Sequence, residues 1–285
     1  MAETSAENNN KHTNKTFLIG LARAFAGAII FAFPMIMTME MWALGFSVER
    51  YRLMIFMTLA IPLLIGMSYF IGFEDTSCFT DDVIDAFVAY AVGFITSGAL
   101  LFLFGVFDFS MSWDEIIGII SIQAVVAAIG ALLAQSELGN GSQKNSEEEK
   151  RRRKAGYGGE MFLMMVGAVF LGMNPAPTEE IILIGFKMTD WQAVLLAVFI
   201  IILMHAFVYK VEFRGQEKRK PAESPLWSVF LRYTIVGYAL VLIISLYLVW
   251  TFGHIDGLDG ENIAKTVVVM SFPAALGASA SRLIL

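Results

Sequence analysis

The chain has 285 residues, of which 57% are apolar and only 16% charged, and its mean hydropathy is +0.66. A soluble domain carries about 25% charged residues, so this composition excludes an ordinary soluble enzyme, a disordered chain and a nucleic-acid binder. The net charge of -6 argues the same way on nucleic acid, and the single cysteine, Cys78, excludes an intrachain disulfide and a cysteine-based metal cluster.

Residues 1–16 are polar and read as a disordered cytoplasmic tail. Eight apolar stretches follow, at 17–45, 51–73, 83–107, 115–134, 160–186, 191–211, 226–252 and 262–284. Each is long enough to cross the hydrocarbon as a helix, which takes about 20 residues, and none alternates as a spanning strand does. The first is too long for a signal peptide and no small-residue cleavage site follows it, so it is expected in the mature chain. The connections are short, except for a polar, glycine-bearing cytoplasmic linker at 135–159. The basic run Lys150–Lys154 within it is expected to hold that linker on the cytoplasmic side, while Glu147, Glu148 and Glu149 weaken any attraction to anionic lipid. No segment outside the apolar stretches is large enough for an ATPase, a kinase or a periplasmic receptor. Function is therefore expected in the helices and their edges.

The distribution of basic residues orients the spans. With the N-terminus in the cytoplasm, all of the 20 Lys and Arg except Arg50, Arg52, Lys187 and Lys265 fall on the inner side. Both termini are then inside. Glu74, Asp75, Asp81 and Asp82 form an inner loop without a basic residue, but acidic residues weigh little in this rule.

The two halves resemble each other. At an offset of 140, Gly27, Ala28, Thr38, Glu40, Gly45 and Phe46 match Gly167, Ala168, Thr178, Glu180, Gly185 and Phe186. At an offset of 147, Ala127–Ala131 matches Ala274–Ala278, and Asp114 matches Glu261. The order is kept, which predicts an internal duplication. Duplication of a unit with an even number of spans gives parallel repeats about an axis along the membrane normal. The expected fold is an all-α membrane protein of eight transmembrane helices in two parallel four-helix repeats, 17–134 and 160–285.

The stretch from Gly27-Ala28 through Pro34 to Thr38-Met39-Glu40-Met41-Trp42, with Asn174-Pro175-Ala176-Pro177-Thr178-Glu179-Glu180 in the second half, resembles an uncharacterised bacterial family of multi-pass integral membrane proteins. That family is known only as a domain of unknown function, and the resemblance covers 17–285. It implies a multi-pass membrane protein and transfers no catalytic residue.

Charged and hydrogen-bonding residues within spans are the candidates for function, because their insertion costs about 2.5–3.5 kcal/mol at the helix centre. Arg23 to Glu40 is about 25 Å if the helix is continuous at 1.5 Å per residue, which puts Glu40 near the outer edge of the hydrocarbon. There it is either a functional carboxylate or an interfacial one beside Trp42. The prolines of Asn174–Glu180 predict a broken fifth span. On one reading Thr178 caps a restarted helix, with Glu179 and Glu180 in its first turn. On the other, carbonyls freed near 171–174 and the paired carboxylates hold a hard cation or carry protons. The candidate ion or proton site is Glu40, Glu180, Thr38, Thr178, Glu179 and Asn174. Pro34, Pro62 and Pro273 are expected to mark kinks.

Other chemistry finds little footing. His205, the one histidine within a span, is expected to be a hydrogen-bonded packing residue. It cannot alone hold a haem, and no His-x-x-x-His pair exists for zinc. Glu179-Glu180 is similar to the paired glutamates of intramembrane proteases, but the arginine and histidines at their spacings are missing. Gly277–Ser281, Gly98-Ala99 and Gly130-Ala131 are small residues suited to close helix packing.

The expected function is a small cation or proton transporter or channel of the bacterial inner (plasma) membrane, with its carboxylates near the repeat axis and no cofactor. Its partners are the lipid bilayer and a small inorganic cation or proton, with a homo-oligomer open. The alternative is a non-transporting sensor, assembly factor or scaffold; an enzyme comes third.

Overall fold

A computed structural model describes residues 2–71, 79–138, 144–209, 227 and 230–284. The described residues are helical, without a strand, and the chain divides into two compact units, Met1–Arg153 and Lys154–Leu285. Among the described residues, seven helices are long and apolar enough to cross a membrane.

The first unit begins with α1 (Ala2–Ile36), whose apolar part starts at Leu18. It stops at Ile36, two residues past Pro34, and a short helix α2 (Met39–Ser47) follows. Then come α3 (Arg50–Ile71), α4 (Phe79–Leu103) and α5 (Trp113–Leu138). Helix α5 is the centre of this unit: α1, α2, α3 and α4 all pack on it, and every residue from Ser121 to Leu132 is buried. Small residues permit this close approach. Gly27 of α1 lies against Gly130 and Ala134, Gly45 of α2 against Ile119, and Gly93 of α4 against Ala124 and Ala128.

The second unit takes up α6 (Lys144–Gly172), which comprises two helical stretches meeting at Gly156, where φ is 56° and ψ -144°. A break spans Met173–Glu179, and the short helix α7 (Glu180–Lys187) follows. Helix α8 is Asp190–Tyr209. A π-helical turn, Phe230–Ile235, leads into α9 (Val236–Thr251), and α10 (Gly260–Ile284) closes the chain. Helices α7, α8 and α9 pack on α10, and Gly167 of α6 meets Gly277 of α10 backbone to backbone.

The outer ends expected for α4 and α9 finish alike. Gly105 (φ 68°) donates to Phe102 O and Val106 N to Leu101 O; Gly253 (φ 79°) donates to Trp250 O and His254 N to Val249 O. This paired closure needs a residue at positive φ, which glycine adopts without strain.

Two expectations for the spans need correction. The first predicted span, 17–45, is not one helix: it is cut at Met37–Thr38, so Glu40 does not lie on a straight extension from Arg23. Pro34 removes the donor to the carbonyl of Ile30 in the preceding turn, and the chain leaves the helix at the extended Thr38. The fifth, 160–186, is likewise divided at its Asn-Pro-Ala-Pro segment. Its apolar helical part, Gly156–Gly172, falls short of the seven spans found among the described residues, because two prolines cannot donate to the carbonyls behind them.

Candidate functional site

The candidate residues flank two helix breaks, one in each unit. In the first, Thr38 is extended (φ -95°, ψ 127°), which turns the chain out of α1 and into α2. Its amide and its hydroxyl both donate to Met35 O, at 3.1 and 2.7 Å. Trp42 Nε1 donates to Ile36 O at 2.7 Å, so the end of α1 is closed by a side chain from α2. Glu40, half-buried, stands in the first turn of α2, where the helix dipole favours a negative charge.

In the second break, Asn174 Nδ2 donates to Phe170 O at 3.2 Å, Asn174 N to Leu171 O at 3.3 Å and Ala176 N to Gly172 O at 3.1 Å. The expectation that carbonyls near 171–174 are freed is thus overturned at Leu171 and Gly172. The chain tightens by one residue after Leu171 and recovers a donor that Pro175 cannot supply. Thr178 does not cap α7 either: its amide and hydroxyl both donate to Pro175 O, at 3.0 and 2.9 Å. Glu179 takes the cap position in helical conformation without a side-chain cap bond, and Glu180 opens α7; both are exposed. Thr38 and Glu40 therefore belong to one break, and Asn174, Thr178, Glu179 and Glu180 to the other.

Sequence reasoning missed His254. It lies beyond the end of α9, is 9% exposed, and its ring faces the backbone of Ala176 and Pro177 within the second break. Burial pushes its pKa below the ordinary 6.5, while that backbone and the nearby charge of Glu179 pull it partly back. Its Nε2 is buried without a partner among the described residues. The only available signal was a histidine directly after a glycine at a helix end. His205 behaves as expected for packing: Nδ1 lies 3.1 Å from Thr234 Oγ1 and the ring meets Phe230 edge-on.

Sequence reasoning also missed Gln123. It is fully buried in α5, and both atoms of its amide lack a partner among the described residues. A single neutral residue in an apolar run gave no reason to choose it.

Ion pairs fasten several helix starts. Arg50 at the start of α3 reaches Asp114 of α5 at 2.6 Å. Lys265 of α10 reaches both Asp190 at the start of α8 and Glu261 of its own first turns, each at 2.6 Å. Among the described residues no group of three or more His, Cys, Asp and Glu is placed to hold a metal ion. What the two breaks offer chemically is a carboxylate at the start of a short helix, beside a turn whose carbonyls are held by a threonine.

No curated protein and no solved structure matches the chain. Over residues 20–285 it matches the family described as "Putative integral membrane protein (DUF2391)". With nearly the whole chain covered and its helices of membrane-spanning length and composition, this protein belongs to that family of integral membrane proteins.

Proposed function

We propose that the chain is a small cation or proton transporter or channel of the bacterial inner membrane, with both termini cytoplasmic. In this reading it is built from two parallel four-helix repeats, with Glu40 and Glu180 as matched carboxylates near the repeat axis. One observation carries the reading: a broken helix in which a threonine hydroxyl bonds the carbonyl three residues back, with a glutamate two residues on, occurs at Thr38–Glu40 and again at Thr178–Glu180. Discontinuous helices are a recurrent setting for ion sites in transporters, and carboxylates within membrane proteins commonly mark ion and proton paths.

The packing supports the duplication. Gly27 against Gly130 corresponds to Gly167 against Gly277, and Gly45 against Ile119 to Gly185 against Thr266, at the offsets of 140 and 147. Asp114 and Glu261 correspond and each stands in an ion pair, Asp114 with Arg50 at the start of α3 and Glu261 with Lys265 one turn on in its own helix. On this reading each repeat's first span is the broken helix with its short successor.

The test is flux in proteoliposomes across monovalent and divalent cations and a pH gradient. Wild-type protein carries an ion, and Glu40→Gln or Glu180→Gln abolishes that flux. Glu179→Gln does less, because it lies about 100° around the helix from the matched position. Matched variants that fold and retain full flux refute the site.

The exposure of Glu179 and Glu180 favours a second reading, a non-transporting sensor, assembly factor or scaffold in which these residues face headgroups or a partner. It requires that the folded wild-type protein carries no ion in the same assay.

A further inference from the structure

Gln123 is 0% exposed, and neither Oε1 nor Nε2 has a hydrogen-bond partner among the described residues. It is not alone at its depth. Helices α4 and α5 run antiparallel, with Gly93 against Ala124 and Ala128, and Gly98 in van der Waals reach of Ile120. That register sets Thr96 and Ser97 of α4 level with Ser121–Gln123 of α5. Thr96, Ser97 and Ser121 are 4%, 0% and 0% exposed, and their hydroxyl oxygens also lack partners.

A serine or threonine in a helix commonly turns its hydroxyl to the carbonyl four residues back. Thr58 and Thr251 of this chain do so, at 2.7 and 2.8 Å. The hydroxyls of this layer do not. The glutamine has no such escape: its amide carries two donors and a two-lone-pair acceptor, and a single back-bond leaves the rest unmet. Inside the hydrocarbon no bulk water compensates an unmet polar group.

The direction of Gln123 follows from its helix. Positions 119, 123 and 130 share one face, being four and seven residues apart. Ile119 packs on Gly45 of α2 and Gly130 on Gly27 of α1. Gln123 therefore faces the α1–α2 side of the unit, between those two contacts, where the helix break lies.

We propose that the first unit holds a buried site, centred on the Gln123 amide, for a small uncharged molecule that both donates and accepts hydrogen bonds. A cation would meet acceptors only and leave the amide N–H groups unpaired; an anion would leave the carbonyl oxygen unpaired. A neutral molecule with both capacities satisfies the amide. Water has this chemistry, and so do small amides and polyols. Packing does not demand a polar residue here. On the duplication reading, the counterpart of Gln123 is Met270, fully buried and in contact with Gly172. The site itself does not depend on that reading.

The experiment uses the full-length protein in bilayers with nitrogen-labelled glutamine side chains. Proton magnetisation is passed from water to the protein by solid-state NMR. The Gln123 signal is isolated by replacing Gln135, Gln143, Gln192 and Gln216 with asparagine, which leaves the layer intact. If the site is filled by water, the Gln123 Nε2 signal builds up several-fold faster than the backbone amides of Ala127 and Ala128, which are equally buried. The measurement is repeated with carbon-labelled urea and with carbon-labelled glycerol. A carbon contact to Gln123 at the expense of the water transfer identifies a solute site; an unchanged water transfer identifies a water site. If Gln123 receives magnetisation from neither water nor solute faster than Ala127 and Ala128, the proposal is wrong.

Discussion

Gly27 and Gly130 meet backbone to backbone: a Cβ on Gly27 would stand 2.5 Å from the Gly130 carbonyl oxygen, and one on Gly130 would stand 2.8 Å from that of Gly27. Real Cβ atoms do not come that close to a backbone atom, so any larger residue must push α1 away from α5. Gly130→Ala is expected to destabilise the protein by about 1–3 kcal/mol, the usual cost of overfilling a packed contact. Gly277→Ala should behave likewise against Gly167 of α6. Gly98→Ala is the control, because its Cβ would meet only the end of the Ile120 side chain at 3.4 Å. Thermal unfolding in detergent checks all three, and equal losses at Gly98 and Gly130 would contradict the packing argument.

The ion pairs allow a finer test. Lys265 is nearly buried and bonds two exposed carboxylates. Either Asp190→Asn or Glu261→Gln leaves the ammonium one partner and is expected to lower the melting temperature only slightly. The double variant strands the charge and should cost more than the sum of the singles. Strict additivity would mean that Lys265 finds another partner.

His254 gives stability a pH dependence of definite sign. The native state depresses its pKa below 6.5, mainly by burial, so the unfolded chain binds the proton more readily. Stability contributed by the neutral ring is full above about 6.5 and is lost as pH falls through the lower folded value. The melting temperature is therefore expected to fall on acidification from pH 7 towards pH 5. His254→Gln should flatten that part of the profile while leaving the alkaline side unchanged. A profile that keeps its full slope in the variant assigns the effect to other groups.

Topology is checked by thiol labelling in a Cys78→Ser background. A membrane-impermeant reagent added outside should modify a cysteine placed at Asp108 or Asp256 and miss one placed at Asn145 or Gln216. The reverse pattern would place both termini outside.

The proline-marked break after Gly172 could be read directly, because the absent N–H groups of Pro175 and Pro177 make a continuous helix impossible. The break at Met37–Thr38 could not. Pro34 alone is compatible with a kink, and the closing bonds from Thr38 and Trp42 depend on where α2 turns back. The packing role of Gly130 and Gly277 was legible from small-residue runs, whereas Gly27 stood out only as a match to Gly167. Gln123 and His254 were not singled out, because burial is set by which helix becomes central. Helix α5 is apolar on all sides, so its periodicity conceals which face meets α1. His254 becomes buried only when the end of α9 reaches the turn at Ala176 and Pro177, a contact between segments nearly eighty residues apart.

The ion pairs at the helix starts carry opposite polarity. In the first unit the cation, Arg50, stands on the helix after the short segment and the anion, Asp114, on the central helix; in the second, Asp190 stands on the former and Lys265 on the latter. Burial differs as well: the side chains of Arg50 and Asp114 are 43% and 74% exposed, whereas that of Lys265 is 11% exposed beside its two carboxylates. Dissolved salt screens charges that face water far more than charges shielded from it. Rising ionic strength is therefore felt first at the Arg50–Asp114 clasp, while Lys265 keeps its hold on α8.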